Sequence, residues 1–146
     1  MATAQIYTNA LLEMVNGTLN FPTSGAPTHK VMLIAASPAY TFAKGHTTIT
    51  TVKAAGATEI SGTAYTAGGK VVPSISTVIN AAAVEVSIGD VVWASSTIAA
   101  RGAILYAPTG NDATAKVIAY IDFGTTVSSS NSSLTIDFQT PLKLQN

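Results

Sequence analysis

Val117-Ile118-Ala119-Tyr120-Ile121-Asp122-Phe123 is the stretch that decides the fold class. Val117, Ala119, Ile121 and Phe123 fall on one side; Ile118, Tyr120 and Asp122 fall on the other. A period of two belongs to a pleated strand, and β-branched and aromatic residues suit its surface. Asp122-Phe123-Gly124 reads as the end of that strand, with Phe123 inward and Gly124 turning. Working outward, similar segments recur. Upstream, Ile98 to Tyr106 is a strand with Gly102 inside it, where a bulge or a close backbone approach is expected. Pro108-Thr109-Gly110-Asn111-Asp112 punctuates between the two. Downstream, Ser128 to Ser133 reads as a polar, mobile loop. Leu134, Ile136 and Phe138 then alternate with Thr135 and Asp137, and Pro141 to Leu144 closes the chain.

Further from the centre, Val31 to Ala36 is a continuous apolar run ended by Ser37-Pro38, as in a buried strand. Ile75 to Ile79 and Val84 to Ile88 alternate, and Gly89-Asp90 separates them from Val91-Val92-Trp93. Glu59 to Tyr65 and Lys70 to Val72 flank a turn at Thr66-Ala67-Gly68-Gly69. Residues 37–58 are the least regular. Within them Thr47 to Val52 reads as an edge strand or part of a surface excursion. Residues 18–29, with Pro22, Gly25 and Pro27, read as loop. One helix is predicted, over residues 4–16: Tyr7, Leu11, Met14 and Val15 recur at helical spacing, flanked by Ile6 and Ala10. Thr3 is its expected N-cap and Asn16-Gly17 its stop. About eight to ten short strands predict a mainly β chain, a single antiparallel β-sandwich or barrel of jelly-roll or immunoglobulin-like type over residues 1–146.

The chemistry-bearing residues are few. The chain has no cysteine, two histidines and seven carboxylates scattered along it. Absence of cysteine excludes a disulfide framework and thiolate chemistry. Net charge is zero, and Lys30, Lys44, Lys53, Lys70, Arg101, Lys116 and Lys143 are spread almost evenly. Nucleic-acid binding needs cations gathered on one groove, so no nucleic-acid partner is expected. No apolar run is long enough for a membrane-spanning helix, and no signal peptide is visible. Charged residues are only 10% of the chain, so little electrostatic repulsion keeps copies apart. That composition fits a subunit that sits against others.

Each motif has a bland reading that fits better than the chemical one. Asp122-Phe123-Gly124 matches the kinase magnesium motif in letters, without its glycine-rich or catalytic loops. Gly68-Gly69-Lys70 lacks P-loop spacing and reads as a hairpin turn. His29 and His46 have no third ligand at useful spacing and read as surface or loop residues. No metal, cofactor or catalytic group is expected, and the chain is not read as an enzyme. Trp93 and the tyrosines at 40, 65, 106 and 120 read as core or interface anchors before they read as a carbohydrate platform.

Gly62-Thr63-Ala64-Tyr65-Thr66-Ala67-Gly68-Gly69 starts a longer series. Val91-Val92-Trp93, Arg101-Gly102-Ala103-Ile104-Leu105-Tyr106, Thr109-Gly110 and Val117 to Gly124 follow in order, and Leu134-Thr135-Ile136-Asp137-Phe138 comes last. In this order the chain resembles a family of small structural proteins encoded by tailed bacteriophages. The resemblance is strongest from 60 to 138. Ala64 and Phe138 depart from it, standing where glycine and tryptophan are usual, as does Pro141-Leu142. It implies a virion component, a head decoration or cement protein on the capsid surface, with a tail or neck component as the alternative. It implies no catalytic residue. The expected partners are the major capsid protein and further copies of the chain, as a homotrimer ahead of a dimer. A host-surface glycan is the rival partner. Tyr7, Leu11 and Met14 on the helix, with Tyr40 and Tyr65, are the candidate interface residues.

Overall fold

The computed structural model describes residues 3–21, 28–80, 83–138 and 141–145. Along them run β1 (Thr3–Ile6), α1 (Thr8–Val15), β2 (Lys30–Ile34), α2 (Ile49–Ala54), β3 (Lys70–Val71), β4 (Ile75–Asn80), β5 (Ala83–Ile88), β6 (Val91–Ala107), β7 (Lys116–Ile136) and β8 (Leu142–Gln145). The strands form two antiparallel sheets, ordered β1-β7-β6-β2-β3 and β4-β5-β8. The fold is mainly β and sandwich-like, with inward residues of both sheets sharing one buried cluster.

The long β6–β7 hairpin is its spine. Where β6 runs from Gly102 to Tyr106, every residue is buried, because β2 and β7 flank it and both of its faces are covered. Val117 to Ile121 on β7 is buried in the same way, but the alternation read there holds only in part: Ala119 and Ile121 lie opposite Leu105 and Ala103, whereas a pairing shift sets Val117 opposite Tyr106, on the other covered face. From Val91 to Ala100 the pattern changes to single-sided alternation: Val91, Trp93, Ile98 and Ala100 are buried while Val92, Ala94 and Ala99 are exposed. Gly102 lies at the junction. The pairing shifts there, and a Cβ on Gly102 would sit 2.7 Å from Ile121 O and from the Tyr120 ring.

Several local expectations are corrected. The N-terminal helix spans Thr8–Val15, because residues 3–6 pair with 119–122 of β7 and Tyr7 N donates to Ile118 O at 3.0 Å. Backbone pairing overrides the helical spacing there, and extended Tyr7, rather than Thr3, is the N-cap. Its stop is as read: Gly17 follows the Asn16 C-cap with φ +71°. Thr47 to Val52 is mostly helix α2, not strand. Thr48 and Thr51 form a reciprocal capping box, which outweighs the β-branched composition. The segments flanking 66–69 do not pair with each other: Glu59 bridges Ile34, whereas β3 pairs with Lys30 and Val31. Ser128 to Ser133 is not a loop but part of β7, opposite Ser96 to Ala99. Asp122-Phe123-Gly124 does not end the strand; residues 123–126 bulge opposite Arg101, and β7 continues. The loop expected at 18–29 falls partly on 22–27, outside the described residues.

Candidate functional site

The Gly62–Gly69 segment is a joint that locks onto the spine. Its Thr63 bridges Thr97, and a Cβ on Gly62 would lie 2.5 Å from Thr97 O. Gly69, at φ +71°, passes so close to the Val31 carbonyl that any side chain would overlap it. Tyr65 is half-buried. Its hydroxyl donates to Glu59 Oε1 (2.9 Å) and accepts from Leu33 N (3.0 Å). The same carboxylate oxygen accepts from Gly68 N at 2.5 Å, and the Tyr106 hydroxyl donates to Gly68 O at 2.6 Å. The Tyr65 ring stacks on Trp93, with centroids 6.1 Å apart. Burial, then the Glu59 charge, pushes the Tyr106 phenol up to about 12, and burial raises Tyr65 as well.

Tyr7 and Tyr40 belong to a second aromatic group. Tyr7 is fully buried with its ring 4.8 Å from Phe42. Its hydroxyl lies 2.9 Å from that of Tyr40, which in turn lies 2.8 Å from His46 Nδ1. Tyr40 meets Tyr120 edge-on at 5.0 Å. Thus residues 40–46 cover the second face of β7. Burial raises both the Tyr7 and Tyr40 phenols. Neither is a ready proton donor near neutrality.

The five candidate interface residues therefore do not share one surface. Tyr7 is in the core, Tyr40 and Tyr65 are half-buried in separate hydrogen-bonded groups, and Met14 packs partly against the core. Leu11 is 40% exposed, beside Leu12 at 56% and Val15 at 84%. The buried side of α1 is carried by Ala10. A second exposed apolar group, at the end of the β4–β5 hairpin, comprises Val78 (51%), Ile79 (84%) and Val84 (39%). Sequence reading placed both strands and missed this surface. The signal was there: the adjacent apolar pair Val78-Ile79 must send one side chain to each face of a strand.

The carboxylates are used structurally. Glu13 pairs with Lys116 (3.0 Å), Glu85 with Lys143 (3.1 Å), Asp112 with Lys53 (2.7 Å) and Asp122 with Arg101. Asp90 accepts from Phe138 N at 3.2 Å. No cluster of three or more His, Asp or Glu side chains suited to a metal occurs among the described residues. A cleft of about 500 Å³ opens between the end of α1 and the β6–β7 connection, crossed by the Glu13–Lys116 pair. His29 lines it but is not a surface residue: it is 3% exposed, stacks on Phe21 at 5.1 Å, and neither ring nitrogen has a hydrogen-bond partner among the described residues. Burial holds its imidazole below the ordinary histidine range. Ser96 is also fully buried, its Oγ 2.7 Å from Ser129 Oγ and within 3.1 Å of the Trp93 and Ser132 carbonyls. This arrangement offers apolar contact surfaces on a polar-jointed frame. No family model, curated protein or solved structure matches the chain.

Proposed function

We propose that the chain is a structural component of a tailed-bacteriophage particle, which binds the outside of the head shell and reinforces it. The ordered motif series from 60 to 138 carries this reading. Its residues are joints of a frame: Gly62 and Gly69 allow close backbone approach, Tyr65 rests on Trp93, and Arg101 pairs with Asp122. A series with those duties fits a protein valued for its shape. The low charge and the apolar residues exposed on α1 and at the β4–β5 end support contact with a partner. Each copy would bridge neighbouring major-capsid subunits, and many weak contacts would add through multivalency.

Purified protein added to undecorated heads should bind at saturable, symmetry-related sites and raise the temperature at which heads disrupt. No binding to heads, with the protein found in the tail or neck, would replace the head reading with the tail one. For the glycan-binding rival, the expected result on a glycan array is no specific binding. Glycan binding lost with Tyr40→Ala or Tyr65→Ala would favour that rival.

A further inference from the structure

β4 is an edge of the three-stranded sheet, with no strand partner beyond β5 among the described residues. Among the described residues it is, with six, the longest sheet edge; β1 and β8 have four and β3 has two. An edge presents unpaired N–H and C=O groups, and chains that stay apart guard it with lysine, proline, an inward charge or a bulge. Lys70 stands in β3 and Lys143 in β8. Ile75–Asn80 has no charge and no proline, and its register with β5 has no bulge.

That register sorts the side chains of the sheet. Ile75, Thr77 and Ile79 lie beside Ile88, Val86 and Val84, with Leu142 across β5, and make one apolar face. Its root, at Val86, Ile88 and Leu142, is buried in the core, whereas its end, at Ile79 and Val84, is exposed.

We propose that this edge pairs with β4 of a second copy, antiparallel about a two-fold axis. A two-fold sets the residue at the axis against its own symmetry mate and brings its neighbours close to theirs, so a charge near the axis would meet its like. β4 carries none. An axis perpendicular to the sheet keeps both apolar faces on one side, giving a continuous sheet of order β8-β5-β4-β4-β5-β8. Pairing like faces requires the axis to pass midway between a residue and its own mate. At Val78 it sets Ser76 opposite Asn80 and Thr77 opposite Ile79, polar on polar and β-branched on β-branched. At Thr77 it would set Ser76 against Val78. The contact is two-fold, unlike the ring of three expected from sequence, and it does not depend on the shell-binding reading.

The absence of cysteine makes a direct test available. Mates directly opposite in an antiparallel pair have Cα atoms about 4.5–5.5 Å apart, within disulfide reach. Under mild oxidation Val78→Cys should give a covalent dimer, and Ser76→Cys, whose mates are far apart in this register, should not. The parent should sediment as a dimer, Val78→Lys as a folded monomer, and Leu12→Lys as a dimer. A monomeric parent, equal cross-linking of the two cysteine variants, or a dimer lost with Leu12→Lys but kept with Val78→Lys would overturn the proposal.

Discussion

The two halves of the β6–β7 hairpin use the same pairing for different ends. Around 102–106 and 117–121 both faces are covered, by α1 and residues 40–46 on one side and by the remaining core on the other, and side chains are apolar in consecutive runs. Around 91–100 and 127–136 one face is buried and the other exposed, and the pairing breaks twice. One irregularity centres on Ser95 at φ +49°, the other on Asn131 at φ +47°. Left-handed backbone is uncommon for serine, whereas asparagine adopts it more readily. Here it turns extra residues aside while Ser96 and Ser129 satisfy each other inside. The contrast teaches that pairing is held by apolar packing in one half, across a single shift at Leu105–Tyr106, and by hydroxyl bonding across bulges in the other.

Substitutions can break this contrast. Trp93→Ala should cost about 3–5 kcal/mol in urea unfolding, because the indole is only 3% exposed. Its neighbour Val92→Ala should change stability by no more than about 0.5 kcal/mol. In the doubly covered half, Ile104→Ala and Leu105→Ala should each cost about 2–5 kcal/mol although they are adjacent. If Ile104 and Leu105 differ as Trp93 and Val92 do, that half has an open face and the contrast fails. Gly102→Ala, forced against Ile121 O and Tyr120, should cost about 1–3 kcal/mol. Ser96→Ala leaves Ser129 without its buried partner and should cost roughly 1–3 kcal/mol. A neutral result would mean that water replaces the hydroxyl and that the bulges hold without it.

The smallest expected effect concerns pH. His29 is buried and its folded-state affinity for a proton is depressed. The unfolded chain takes up that proton near pH 6.5, so stability from this site is complete above that value and is lost as pH falls below it. Melting temperature should therefore decline between pH 7 and pH 5, and His29→Phe should flatten that part of the profile. An equally steep decline in the variant would remove His29 as its cause.

Strand positions were legible wherever apolar residues alternated or ran together, as at Val31, Ile75, Val84 and Val117. What was not legible depended on partners distant in sequence. Residues 3–6 carry a helical pattern, yet a free strand edge at 119–122 claims them. Ser128 to Ser133 has the composition of a loop, yet Ser96 and Thr97 pair it into the sheet. Thr47 to Val52 has strand propensity, but its two threonines cap a helix. Among the candidate interface residues, spacing placed Tyr7 and Leu11 on one stripe. The fold separates them, because Tyr7 precedes the helix and turns into the aromatic group of Tyr40 and Phe42. The exposed apolar end of β4–β5 lay within correctly read strands, and its exposure follows only from the packing of the second sheet.

A density map of the intact particle tests the central claim most directly. The account predicts copies of this fold at symmetry-related positions on the outer surface of the head, touching more than one major-capsid subunit. Density confined to the tail or neck, or a particle that lacks the chain altogether, would contradict it.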